Sequence, residues 1–199
     1  MGQTAAVNTG LKLVNGEYLS WIDCDDFLTD TAIEDKLSAL ISNPDYSITT
    51  NDFYVVMENN LDKIVRRQGD YFGNLNFQSW QFYLALSGMA IIEANCHLVR
   101  MSCFDEIFSQ RDLVACSEGQ NYQLVLPLYF KYKRLYIDKP LAYYVIRNDS
   151  HYHRLRSADE WMARYDALIK MLELVLDSLG FSAMESKKLI KMSCFYQER

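Results

Sequence analysis

The sequence has no excess of basic residues and no long apolar run. Its 20 lysines and arginines are outnumbered by 26 aspartates and glutamates, which gives a net charge of −6. Nucleic-acid-binding domains usually carry a basic field, so this balance argues against nucleic acid as a partner. The longest apolar stretch, residues 124–130, is far shorter than the roughly 20 residues that span a bilayer.

The start of the chain lacks the basic segment and apolar run of a secretory signal. We therefore expect a cytoplasmic protein, while peripheral docking at the inner face of the membrane stays open because it needs no spanning segment. The five cysteines are odd in number and show no CxxC spacing, so neither a zinc site nor a disulfide framework is indicated. Half of the 199 residues are hydrophobic, which suffices for one domain with a small helical appendage.

The pattern of apolar and turn residues predicts a mixed α/β order that becomes helical at the end. Helices are predicted over 4–13, from Thr31 to Ile41, from Ser117 onward with a bend at Pro127, from Ser157 to Gly180, and over 184–196, with one helical turn at 103–107. Strands are predicted over 18–22, 53–57, 61–67, 134–137 and 141–147, and as a strand, turn and strand over 89–100. Three helix starts carry capping-box spacing, at Thr31 and Glu34, Ser117 and Gln120, and Ser157 and Glu160.

An acidic run follows the first predicted strand in the sequence WIDCDD. Asp23, Asp25 and Asp26 would stand at the carboxyl end of that strand, which is where ligands bind in α/β sheets. Carboxylate oxygens suit Mg²⁺ or Mn²⁺. An acidic loop that merely caps the following helix is the alternative interpretation, and the segment alone leaves both open.

Two later segments also carry candidate chemistry. Glu118, between Ser117 and Gly119, could be a general base for an acceptor hydroxyl, although a plain capping box explains the same residues. His151 and His153 follow a predicted strand and could bind a metal or a diphosphate, although surface histidines in a loop are common. An aromatic set could stack on a sugar or belong to the core: Tyr71, Phe72, Phe77, Trp80, Phe82 and Tyr83.

Taken in order, these segments resemble the family 2 glycosyltransferases. The opening GQTAAVNTGLKLVNGEYLSWIDCDD is similar to that family's helix, strand and DxD signature, ANCHLVRMSCFDEI to its acceptor-side strand, and the stretch from SEGQNYQ to SHYH to its catalytic helix and closing loop. The resemblance implies an α/β, GT-A type fold, Rossmann-like with a mixed sheet. It predicts a partial GT-A domain over 1–155 that lacks its amino-terminal nucleotide-binding strands, followed by a helical extension over 156–199.

The resemblance also implies roles for particular residues. Asp25 would coordinate Mg²⁺ or Mn²⁺ at the donor diphosphate, with Asp23 beside it, and His151 or His153 would approach from the closing loop. Asn8 and Gln120 would contact the nucleotide-sugar donor, and Glu118 would deprotonate the acceptor. The implied reaction moves a sugar from a UDP-sugar to a hydroxyl of a saccharide or lipid-linked acceptor, with inversion.

Three departures from the family pattern support a second hypothesis. Val7 stands where the family usually has an arginine, the usual Glu-Asp pair is Glu118-Gly119, and the opening strands are missing from the sequence. The alternative is therefore a truncated or degenerate transferase domain that acts as a binding or pairing module without turnover. A haloacid-dehalogenase phosphatase also ends a strand in D-x-D, but Phe27 stands where that class needs a small hydroxyl or β-branched residue.

Overall fold

The computed structural model describes residues 3–72, 80–147 and 156–193, with the side chains of 71 and 72 left aside. Its helices are α1 (Gln3–Leu13), α2 (Ala32–Ser42), α3 (Gly69–Phe72), α4 (Gln81–Leu86), α5 (Met101–Ile107), α6 (Gln120–Lys131), α7 (Ala158–Ser178) and α8 (Ala183–Met192). Its strands are β1 (Tyr18–Leu19), β2 (Phe27–Leu28), β3 (Ile48–Met57), β4 (Asn60–Arg67), β5 (His97–Arg100) and β6 (Arg134–Ile146). The predicted mixed α/β order with a helical end is confirmed.

The strands form one mixed sheet in the order β1-β5-β3-β6-β2, with β4 paired to the second half of β3. β3 and β6 are parallel, from Ile48 opposite Arg134 to Met57 opposite Ile146. β5 is antiparallel to both β1 and β3, so β1 runs parallel to β3 and β6. The carboxyl ends of β1, β3 and β6 therefore point to the same edge of the sheet.

The main core lies between the sheet and the helices, and it includes side chains from both ends of the chain. Leu11 of α1, Phe104 of α5 and Leu128 of α6 belong to the same buried cluster as Leu172 of α7 and Ile190 of α8. Burial of such side chains is the main favourable term in folding. Helices α7 and α8 thus share one core with the segment that precedes them.

The apolar residues of helix α2, namely Ile33, Leu37, Leu40 and Ile41, predict a buried face that the structure confirms only in part. Ile33 and Ile41 are 47% and 61% exposed, whereas Ala32, Lys36 and Leu40 are buried. The Lys36 ammonium donates to the Asn95 carbonyl oxygen at 2.8 Å, which satisfies part of its hydrogen-bonding capacity inside the protein. The predicted Thr31 cap is also wrong, because the Thr31 hydroxyl donates to Asp35 Oδ2 at 2.8 Å and caps no backbone N–H.

Other boundaries differ where long-range pairing decides them. The segment predicted as strand, turn and strand over 89–100 contains a short 3₁₀ helix, Ala94–Cys96, before β5. The two strands predicted over 134–147 are one strand, β6, which stays paired with β3 across a register shift near Asp52. The predicted cap of α6 at Ser117 is wrong, since the helix begins at Gln120 after Gly119. The capping box of α7, made by Ser157 and Glu160, is confirmed.

Candidate active site

The acidic turn, residues 23–26, leads from β1 to β2 and is fixed by its last aspartate. The backbone N–H of Asp26 donates to the Asp23 carbonyl oxygen at 3.1 Å, closing the turn. The Asp26 carboxylate accepts from the Val145 backbone N–H at 2.9 Å and from the Asn95 side-chain amide at 3.1 Å. Asp26 therefore ties the turn to β6, and its two oxygens are used in doing so.

The carboxylates in and around the acidic turn have raised pKa values, mainly because they are buried and in part because they lie close to one another. Burial, followed by the neighbouring charge of Asp25, raises the pKa of Asp23. Burial is also the main reason that the pKa of Asp26 rises to about 7 and that of Glu93 to about 6. Arg147 offers partial compensation, since its guanidinium lies 3.6 Å from Asp25 and 3.7 Å from Glu58. An additional cation would stabilise the ionised turn.

The donor set of the turn fits a magnesium or manganese ion only if the substrate completes it. Across residues 3–72, 80–147 and 156–193, no group of three histidine, cysteine, aspartate or glutamate side chains is gathered as a metal cage. Mg²⁺ is commonly held by one or two carboxylates together with substrate phosphates, and hard oxygen ligands suit it. Asp25 and Asp23 match that arrangement, and their metal role stays a prediction.

Glu118 lies just before α6 and contacts the carboxyl-terminal helices. Its Oε2 is 3.4 Å from Arg164 Nη2 of α7, and the two side chains are only 13% and 10% exposed. Gly119 follows with φ of 79°, a left-handed conformation that favours glycine. A Cβ at this position would meet Met171 Cε at 2.5 Å and Leu168 Cδ2 at 3.3 Å. Glycine thus allows α7 to pack where most residues would clash.

The order of the elements predicts that the acidic turn and Glu118 lie toward the same edge of the sheet. The turn follows the carboxyl end of β1, and Arg147, just past the end of β6, reaches it. Only residues 132–133 separate helix α6 from β6, and so short a connection predicts that the helix runs back along the strand and begins toward the edge where β6 ends. This is the edge at which α/β sheets bind ligands.

Two of the predicted donor-binding residues, Asn8 and Gln120, differ in whether the structure shows their side chains bound to other parts of the chain. Asn8 holds the chain at Leu113, because its Nδ2 donates to the Leu113 carbonyl oxygen at 2.9 Å and its Oδ1 accepts from the Leu113 N–H at 2.8 Å. One N–H of Nδ2 and one lone pair of Oδ1 are left for a further partner, and a donor contact by Asn8 stays a prediction. Gln120 is the first residue of α6 and partly exposed. His151 and His153 lie outside the described residues.

Sequence reasoning missed several neighbours of these carboxylates. Asn95 holds Asp26, and the Asn95 carbonyl oxygen accepts from the buried Lys36. Arg147 and Arg164 each contact one candidate carboxylate, Asp25 and Glu118. The position of Lys36 on a predicted amphipathic helix was the only sequence feature that could have pointed to these contacts. Arg147 and Arg164 come close to Asp25 and Glu118 only through the tertiary fold.

The model of the family described as Glycosyl transferase family 2 matches residues 1–108, more than half of the chain. The chain belongs to this family. The matched region contains the acidic turn but ends before Glu118. No curated protein sequence matches the chain significantly.

Solved structures show the same fold. The crystal structure of S. aureus TarS 1-349 in complex with UDP-GlcNAc is 14% identical, with a TM-score of 0.61, and the match covers 98% of this chain and 52% of that one. The structure of S. aureus TarS is 12% identical, with a TM-score of 0.59, and the match covers 100% of this chain and 31% of that one. The chain thus spans about half the length of TarS 1-349. The predicted GT-A fold is confirmed.

Within the part of the chain that the structure describes, no helix is both long enough and apolar enough to cross a bilayer.

Proposed function

We propose that this chain transfers a sugar from a nucleotide-sugar, of the UDP-sugar class, to an acceptor hydroxyl with inversion. The observation that carries the proposal is the acidic turn after β1, which Arg147 reaches from the end of β6, and the element order predicts Glu118 toward the same edge of the sheet. Membership of glycosyl transferase family 2 supports sugar transfer. The solved TarS complex contains UDP-GlcNAc, which supports a nucleotide-sugar as the donor here.

In this proposal the acidic turn binds the donor diphosphate through a divalent cation. Asp25 and Asp23 would hold Mg²⁺ or Mn²⁺, and His151, which lies outside the described residues, would add a ligand. The bound ion would neutralise the charge that develops on the leaving diphosphate. Asp26 would keep the turn in place through Val145 and Asn95, and Arg147 would orient Asp25.

Glu118 is the proposed general base. As the acceptor oxygen bonds to the anomeric carbon, its proton passes to the Glu118 carboxylate, and the bond from that carbon to the diphosphate oxygen breaks. The electron pair leaves with the nucleoside diphosphate. Because attack comes from the face opposite the leaving group, a single displacement inverts the anomeric centre. The acceptor would be a saccharide or a lipid-linked saccharide.

The test measures donor binding and transfer by the same purified chain. We expect a panel of UDP-sugars to raise the melting temperature only when Mn²⁺ or Mg²⁺ is present. Asp25→Ala should abolish that shift, while Asp45→Ala, which removes an exposed carboxylate from a turn outside the site, should leave it unchanged. Glu118→Gln should keep donor binding and lose turnover by about 100-fold, the scale of general-base catalysis. A shift that survives Asp25→Ala would reject the metal role.

One observation favours the second candidate, a domain that binds without turnover. Gly119 stands in place of the second acid of the family's Glu-Asp pair, and Glu118 is already paired with Arg164. A binding or pairing module would show the donor-dependent melting shift in the wild type and in Glu118→Gln alike, with no nucleoside diphosphate released by either. Release by the wild type alone would exclude this candidate.

A further inference from the structure

The carboxyl-terminal helix α7 lies directly against the segment that carries Glu118. Arg164 Nη2 is 3.4 Å from Glu118 Oε2. Leu168 and Met171 lie one and two turns further along α7, and their side chains would be the first that a Cβ on Gly119 meets. Since positions 164, 168 and 171 share one face of a helix, two independent contacts place residues 118 and 119 on that face.

The Arg164 guanidinium lies near an aromatic ring as well as near Glu118. It stands 5.7 Å from the centre of the Trp161 ring, and Arg156 stands 5.0 Å from the centre of the same ring. Trp161 stacks in turn on Tyr165 at 5.8 Å. The Ser157 and Glu160 capping box fixes the first turn of α7, from which these side chains project. A side chain restricted in this way loses little further entropy when it orients a partner.

We infer that Arg164 is a positioning residue for Glu118, so that α7 forms part of the catalytic unit. The inference rests on the proposed function, because it assumes that Glu118 acts as the base. An ion pair to a planar, fixed guanidinium restricts the directions that the Glu118 carboxylate can take. A base must lie within hydrogen-bond reach of the proton that it abstracts, and small misplacements are costly.

A purely structural ion pair would explain the same contact, and kinetics separates the two roles. A structural pair acts on stability and leaves the rate per folded molecule unchanged. A positioning pair acts on kcat, because donor binding does not depend on the direction of the Glu118 carboxylate. The planar fork of arginine matters for orientation, so lysine, which keeps the charge alone, should restore activity in part.

The experiment compares Arg164→Gln, Arg164→Lys and the control Lys187→Gln, which removes an exposed cation from α8. Transfer is followed by release of nucleoside diphosphate from the UDP-sugar that gives the largest melting shift. We expect Arg164→Gln to lower kcat by 10-fold to 100-fold and to leave the donor KM within about twofold. Arg164→Lys should recover part of that loss, and the control should match the wild type.

The outcomes distinguish this inference from the proposed function. Wild-type kcat in Arg164→Gln overturns the inference and leaves the proposed function standing. A wild-type protein that releases no nucleoside diphosphate from any donor overturns the proposed function, and the inference with it. If Arg164→Gln does not fold, as judged by circular dichroism, Arg164→Lys decides: reduced kcat at unchanged KM supports the inference, and unchanged kcat overturns it.

Discussion

Gly119 is the position at which a single methyl group should test the packing of α7 most directly. In Gly119→Ala the alanine must adopt a φ near +79°, and its Cβ meets Met171 Cε at 2.5 Å. The left-handed conformation costs about 1–2 kcal/mol for a residue with a Cβ. Because Met171 is fully buried, moving its terminal methyl costs about 1 kcal/mol more, the lower end for overpacking. We expect unfolding free energy to fall by roughly 2–3 kcal/mol.

Two other glycines provide matched controls. Gly180 also has a positive φ, 82°, but a Cβ there would have open space, so Gly180→Ala should show the backbone cost alone. Gly10 lies within α1 and also has open space, so Gly10→Ala should stabilise the protein by up to about 1 kcal/mol. Urea unfolding followed by circular dichroism gives all three values. If Gly119→Ala is no more destabilising than Gly180→Ala, the Met171 contact is wrong.

Two further predictions concern buried polar groups. Asn8→Ala leaves the N–H and carbonyl oxygen of Leu113 without their side-chain partners, so urea unfolding should show a loss of about 1–3 kcal/mol; an unchanged midpoint would contradict the contact. Burial lowers the pKa of His97 to about 3, so the neutral imidazole contributes stability that is complete above about pH 6.5 and is lost as pH falls toward 3. Lowering the pH from 6.5 to 5 should therefore reduce the free energy of unfolding by about 2 kcal/mol. The His97→Gln variant should not show this reduction. Glu93 and Asp26, whose pKa values are raised, act in the opposite sense and are common to both proteins, so their effect cancels in the comparison.

Elements whose chemistry is local could be predicted from the sequence. Helix α7 begins at the capping box of Ser157 and Glu160 and ends before Gly180, as its residues indicated. The start of α6 could not be found in this way, because Ser117 has the spacing of a cap while the packing of Gly119 against Met171 sets the boundary. The length of β6 depends likewise on its pairing with β3, which no local pattern encodes.

The candidate site shows the same difference between features that nearby residues determine and features that depend on long-range contacts. The acidic turn could be predicted because its three carboxylates lie within four residues of one another and follow a strand. Its supports could not, since Asn95 and Val145 meet Asp26 only through the sheet. The burial of Lys36 was not predicted, because the apolar residues of helix α2 indicated a different buried face, whereas the structure buries the lysine completely. Pattern reasoning thus identifies groups that could react and fails to find the groups that hold them.

The sharing of one core by α7, α8 and the segment before them has a consequence for how the chain can be divided. A gene fragment that stops at residue 155 would encode α6 without Leu168, Met171 and Leu172, which belong to the same buried cluster as α6. The exposed apolar side chains would favour self-association of the fragment. Recombination or expression boundaries are therefore better placed outside α7 and α8, because both helices contribute side chains to the main core.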